Sequence, residues 1–236
     1  MSHPPSVHAM AEIAKALGDW GPRVVFIGGA VAPLLQTEPP LPRVRATDDV
    51  DAVAATASYA EYVRLEEALR ELGFKHAGVL ARDDRTQHAH CWIAPNGTAF
   101  DLVPFGDHLG ASGNKWDSVA VETAVSVQID GVELRHVSAP GFLVLKWAAY
   151  TDRGADYPIG SDDIEDILAV IASRPSILQE IEAASDEIRG YLRANAAALM
   201  AHPDFADTLD AHLTPAANRV EVVASVRRIL SAMAAS

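Results

Sequence analysis

Apolar residues recur at helical spacing near the start of the chain, cluster or alternate through its middle, and return to helical spacing from about residue 140 to the end. Val7, Met10, Ile13, Ala14 and Leu17 fall on one helical face, and Gly18 stops the run, which predicts a helix over 7–18. Residues 23–27 (RVVFI) are short, apolar and β-branched, and so read as a buried strand; they end at Gly28-Gly29, after which a second helix is expected around Ala30–Leu35. Three prolines make 37–44 (TEPPLPRV) a loop. Residues 48–54 (DDVDAVA) alternate acid and apolar over most of their length, the pattern of a strand with one polar face. Ala57–Leu72 is an amphipathic helix carrying Tyr59, Tyr62, Val63, Leu65, Leu69 and Leu72 near one side, closed by Gly73.

Strands are expected next at 75–80, 89–94 and 98–105, the last two joined through Asn96-Gly97. A second hairpin joins TAVSVQI to VELRHVS through Asp130-Gly131. Beyond Pro140 the pattern is helical throughout, with helices expected over 141–151, 161–173, 175–195 and 216–234. Strands mixed with helices, followed by helices alone, predict an α+β fold. Residues 1–138 would form a mixed-sheet domain carrying the chemistry, and 139–236 a helical domain. No internal repeat or low-complexity segment interrupts the chain.

Composition narrows the class. The chain has 236 residues, 49% of them hydrophobic, enough to fill a core. Its net charge of −13 repels phosphate backbones at long range and disfavours broad, sequence-independent nucleic-acid binding, while attracting divalent cations. Cys91 is the only cysteine, which excludes an internal disulfide and a cysteine-based zinc site. Met1–Glu12 lacks a basic region followed by an apolar run, and no stretch reaches about 18 uninterrupted apolar residues. Neither a signal peptide nor a membrane span is therefore expected, and the cytoplasm is the default compartment.

The candidate chemistry starts at Thr47-Asp48-Asp49-Val50-Asp51. On a strand Asp49 and Asp51 share one face, and Asp48 and Val50 point the other way. Two carboxylates on one face repel each other, and a cation between them removes that cost; hard oxygen ligands suit Mg²⁺, or Mn²⁺. Asp101 is a third acid, set in an otherwise apolar strand (Phe100-Asp101-Leu102-Val103), costly to bury unpaired. If its strand lies beside the first, three carboxylates converge, and such a set can hold two metal ions for phosphoryl or nucleotidyl transfer. Gly28-Gly29, between a strand and a helix, would let the backbone approach a phosphate. Each feature alone has a plain structural explanation as a solvated turn, a strand end or a tight bend; their succession is what carries the expectation.

The order Gly28-Gly29, Asp49-x-Asp51, Asp101 resembles the DNA polymerase β-like nucleotidyltransferase superfamily. The string Arg45-Ala46-Thr47-Asp48-Asp49-Val50-Asp51 is similar to the R-x-T-x-D-[IV]-D block of the AbiEii/AbiGii-type nucleotidyltransferases. In the helical half, Lys146 of Leu145-Lys146-Trp147 and the later Asp162-Asp163-Ile164-Glu165-Asp166-Ile167 resemble that family's lysine and acidic block, although Asp162 stands where the family usually has Lys and Ala30 where many members have Ser. The resemblance spans residues 24–170 and leaves the last ~60 unmatched. It implies a nucleotidyltransferase-like N-terminal part in which Asp49, Asp51 and Asp101 bind metal and act in catalysis, Asp101 also as general base. Gly28, Gly29, Arg45, Thr47, Lys146, Asp163 and Asp166 would then contact the nucleoside triphosphate. The family includes toxins of toxin–antitoxin pairs, so an RNA acceptor such as a tRNA, and an antitoxin partner, are implied too. The acidic charge keeps open a cationic small-molecule acceptor of the aminoglycoside kind. A nucleotide-binding or interaction module without catalysis is the reading of another class.

Other residues have simpler readings. Lys146, on the apolar run FLVLKWAAY, could equally lay its stem on the surface with its charge in water. Arg153 and Arg45 could pair with acids. Acids at the start of a helix favour its dipole, and Asp163 and Asp166, three apart, share a face from which one could orient Lys146 or Arg153. His88 and His90 flank Ala89 with no evident third ligand, and an exposed strand face suits them better than a metal.

Overall fold

A computed structural model of the chain describes residues 3–38, 47, 49–77, 90–105, 115–153, 156–213 and 218–235. It divides into two units: Met1–Val31 with Ala46–Ser138, and Ala32–Arg45 with Ala139–Ser236.

The first unit is built on strands β1 (Val24–Ile27), β2 (Asp49–Ala54), β3 (Lys75–His76), β4 (Cys91–Ile93), β5 (Ala99–Pro104), β6 (Val125–Ile129) and β7 (Val132–His136). They form one mixed sheet in the order β3-β4-β5-β2-β1-β7-β6. Strands β2 and β5 are parallel, as are β1 and β7; every other neighbouring pair is antiparallel. Helices α1 (Pro5–Leu17), α3 (Tyr59–Glu71) and α4 (Asp117–Glu122) belong to this unit. α1 begins on a proline, which lacks only an N–H the first turn would leave unpaired, and buries Val7, Met10, Ile13 and Leu17. α3 starts on Ser58, whose side chain accepts from Glu61 N. α4 was not expected from the pattern, being only six residues long.

The two faces of the sheet differ. Val50, Ala52, Ala54, Phe100, Leu102 and Trp92 alternate onto one face, and all are buried. Phe74 packs on Phe100, Arg70 lies over the Trp92 ring, and the Tyr62 hydroxyl donates to the Leu102 carbonyl at 3.3 Å. The other face carries Asp49, Asp51, Asp101, Ala99 and Cys91, none of them fully buried.

The second unit holds α2 (Ala32–Leu35) and then α5 (Ala139–Asp152), α6 (Asp162–Ser173), α7 (Ile177–Glu182), α8 (Asp186–Ala201), α9 (Phe205–Leu213) and α10 (Arg219–Ala235). A mixed-sheet part followed by a helical part is thus the architecture. Phe142, Trp147, Ile164, Leu168, Leu192, Leu209 and Leu230 fill its core. The single helix expected over 175–195 is two: Ser185 N-caps α8 by accepting from Ile188 N and so ends the preceding run. α9 was missed altogether. The helix expected over Ala30–Leu35 is shorter and tighter, a 3₁₀ turn over Gly29–Val31 followed by the four residues of α2. No helix is long and apolar enough to cross a membrane among the described residues.

Candidate active site

Strand pairing brings the acids together. β2 and β5 run parallel with Asp51 directly opposite Asp101, and Asp49 opposite Ala99. Directly paired residues project from the same face, as do residues two apart on one strand, so the three carboxylates share the half-open face. The row continues to both sides: Cys91 of β4 is opposite Asp101, and Ile27 of β1 is opposite Asp51. Among four adjacent strands the sequence of side chains is therefore Cys91, Asp101, Asp51, Ile27.

Each carboxylate has a distinct neighbour. The Thr47 hydroxyl donates to Asp49 Oδ1. Asp51 lies against Gly28, whose φ is +71°; a Cβ on Gly28 would overlap the Asp51 carboxylate. Glycine is needed there twice over, for the left-handed backbone and for the space. Asp101 is hydrogen-bonded to Cys91. Burial, then that hydrogen bond, then the charges of Asp101, Asp51 and Asp49 push the Cys91 thiol up to about 12, so it is a neutral donor beside the acids rather than a nucleophile. Sequence reasoning assigned Cys91 no part in the site. Nothing in its local spacing gives it one; only the register of β4 on β5 does.

Gly29 opens the 3₁₀ turn, and Val31 N donates back to the Gly28 carbonyl at 3.2 Å. The short turn offers fewer aligned N–H groups than the longer helix expected from sequence. Arg45, like Asp48 and His88, lies outside the described residues. His90 precedes β4, half-buried rather than on an exposed strand face, with Nδ1 3.1 Å from the Tyr62 hydroxyl.

Lys146, Asp163 and Asp166 belong to the helical unit. Lys146 of α5 lies with its Nζ 2.6 Å from Asp166 Oδ2 and 3.2 Å from Asp163 Oδ1, and Arg153 pairs with Asp163 Oδ2. The acid side chains are only 3% and 2% exposed and that of Lys146 12%, whereas Arg153 is 70% exposed. Burial alone would lower the Lys146 pKa, but Asp166 and Asp163 outweigh it and raise it. Two acids and two cations make the cluster neutral, and it ties α5 to α6. Residues 163 and 166 share a face as their spacing requires, and the lysine they hold is fixed in direction.

No family model matches the chain, and no curated protein matches it in sequence. Among solved structures it is similar to an antigenic nucleotidyltransferase-like protein from Paracoccidioides brasiliensis, with 19% identity over 87% of this chain and 92% of that one, at a TM-score of 0.49. It is also similar to JHP933 from Helicobacter pylori, with 10% identity over 99% of this chain and 94% of that one, at a TM-score of 0.44. Likenesses this distant carry no function across, and the chemistry must come from the residues themselves.

The fit of a divalent cation can be judged on those residues. Their donors are hard carboxylate oxygens on one half-open face, two of them in direct register, which suits Mg²⁺ or Mn²⁺. Among the described residues no group of three or more His, Cys, Asp or Glu is drawn tightly enough together to hold a metal ion. What the strands fix is the backbone register, with Asp51 opposite Asp101 and Asp49 two residues along the same face.

Proposed function

We propose that the chain is a metal-dependent nucleotidyltransferase, moving a nucleoside monophosphate from a nucleoside triphosphate to an acceptor. The observation that carries this reading is the Asp51–Asp101 register on adjacent parallel strands, with Asp49 on the same face and the Gly28 turn beside it. In this reading Asp49, Asp51 and Asp101 hold divalent cations, which when bound offset phosphate charge. Asp101 takes the proton of the acceptor group as its oxygen or nitrogen bonds to the α-phosphorus; the bond from the α-phosphorus to the bridging oxygen breaks, and pyrophosphate leaves. Gly28 and Gly29 let the backbone approach the triphosphate, and Thr47 steadies Asp49. Lys146, Asp163, Asp166 and Arg45 are assigned nucleotide contacts in this reading.

The acceptor belongs to the same proposal: an RNA such as a tRNA, with the chain acting as a toxin held by an antitoxin, or a cationic small molecule of the aminoglycoside kind, which the charge of −13 suits. A nucleotide-binding or interaction module without catalysis is the second reading.

Calorimetric titration of each nucleoside triphosphate, with and without Mg²⁺, into the wild type and Asp49→Asn/Asp51→Asn tests both. Metal-dependent binding of one triphosphate, lost in the double variant, supports the site. Incubation with that triphosphate labelled on its α-phosphorus then separates catalysis from binding alone. Binding that ignores both metal and substitution overturns the proposal.

A further inference from the structure

The two edges of the sheet are unlike. At one edge β3 is two residues long and carries Lys75. At the other, β6 pairs with β7 over five consecutive positions, and among the described residues no strand pairs with its outer side. Short length and charge are the usual guards of a sheet edge. The β6 sequence, Val125-Ser126-Val127-Gln128-Ile129, has neither, and it lacks proline and a bulge as well. In a chain in which 22% of residues are charged, this is an uncharged strand whose Val125, Ser126 and Gln128 are exposed.

The hairpin fixes which peptide groups face outward. Asp130 and Gly131 both have positive φ, 52° and 80°, and join Ile129 directly to its partner Val132, which makes a two-residue type I′ turn. In such a turn the closing pair is hydrogen-bonded. Pairs alternate along an antiparallel ladder, so Ile129, Val127 and Val125 turn their N–H and C=O groups to β7. Those of Ser126 and Gln128 point to the open side.

We propose that β6 is a dimerisation edge, pairing antiparallel with β6 of a second copy about a two-fold axis at Val127. In that register Ser126 faces the second copy's Gln128, and these are the residues whose peptide groups are turned outward, so the hydrogen-bonding pattern closes on itself. Val127 faces its own symmetry mate as a non-hydrogen-bonded pair, and Val125 faces Ile129. It is the one antiparallel register in which all five positions pair, with apolar opposite apolar and polar opposite polar. No charge lies in the paired strands, although two chains of −13 repel each other elsewhere. Association therefore strengthens as salt screens that repulsion. The operator is isologous, the commonest form of homodimer.

The test combines mass and geometry on the full chain. Sedimentation velocity from roughly 1 to 300 μM should show the mass moving from one chain to two, at lower concentration in higher salt, a range chosen because a strand pair is small beside a standard interface. Ser126→Pro removes an outward N–H while leaving the ladder to β7 intact, and should hold the protein at one chain across the range with its circular dichroism unchanged. If that variant fails to fold, Val127→Lys, which opposes two like charges, carries the same expectation. In a Cys91→Ser background, Val127→Cys should oxidise to a disulfide-linked dimer, and Gln128→Cys should not, because its symmetry mates are offset by two residues. A single-chain mass at every concentration overturns the proposal and leaves the edge to a strand of another protein. A dimer that survives both edge variants, or that cross-links equally well through 127 and 128, also overturns it.

Discussion

The chain places two pairs of aspartates on single faces, by different means and with different surroundings. Asp49 and Asp51 are two apart on a strand, and Asp163 and Asp166 are three apart on a helix. The helical pair is buried, and Lys146 and Arg153 bring the local sum of charge to zero. The strand pair is joined by a third acid across the sheet, and the neighbouring Cys91 thiol is pushed up to about 12, by burial first and then by its hydrogen bond to Asp101 and the charges of the three acids. The same residue type thus serves opposite ends. Acids matched by cations within the protein hold helices together, whereas like acids on a half-open face repel one another, a cost that a cation from outside would offset under the proposed function.

The largest expected effect separates these roles. Asp51→Asn should reduce nucleotidyl transfer by at least ~10³-fold while leaving the melting temperature unchanged or raised, since it relieves like-charge repulsion. Activity and calorimetric melting on one preparation check it, and a stability loss with activity retained would invert the comparison. Next, Cys91 should alkylate up to about 10³-fold more slowly in the folded chain than in urea at pH 8, because its pKa is moved from 9.0 to about 12. Rapid labelling would mean that the thiol is neither buried nor crowded by the acids as described.

Lys146→Met should cost about 3–5 kcal/mol of stability, by stranding two buried carboxylates, and equilibrium urea unfolding measures it. The pH dependence has a fixed sign. The folded Lys146 pKa lies above its ordinary 10.5, so the stabilisation is whole below that pH and fades as pH rises through the folded value. The wild type should lose stability on that alkaline side, and Lys146→Met should lack this component. If Lys146 instead serves nucleotide alone, the variant melts normally and loses only affinity. The smallest effect is that of Gly28→Ala, about 1–3 kcal/mol from the positive φ and the overlap with Asp51. Adding Asp51→Ala should recover the overlap part, and thermal unfolding of the single and double variants divides the two.

Much of the fold was legible because local pattern and local structure agree. The alternation of Asp49, Val50 and Asp51 gave a strand with one polar face, and the strand-then-helix division gave the architecture. The miss over 175–195 came from Ser185, which reads as an ordinary polar position until its hydroxyl is seen capping α8. The short α4 offered too few turns for a period to show.

The acid site was legible as residue types and illegible as geometry. By itself, the sequence determined that Asp49 and Asp51 share a face, that Gly28 follows a buried strand, and that Asp163 and Asp166 align on a helix, since each depends on spacing within one element. It could not determine that Asp51 meets Asp101, because strand order joins segments fifty residues apart and no local period records it. Nor could it place Cys91. A two-residue Asn96-Gly97 turn would have set Cys91 opposite Leu102, on the dry face. The loop instead closes between Ala94 and Thr98, with the Gly97 N–H donating to the Ala94 carbonyl, and Cys91 comes opposite Asp101. A register shift of one residue exchanges the faces of a strand. That single step, decided by turn geometry and by packing of Trp92 into the core, puts a thiol rather than an indole beside the acids.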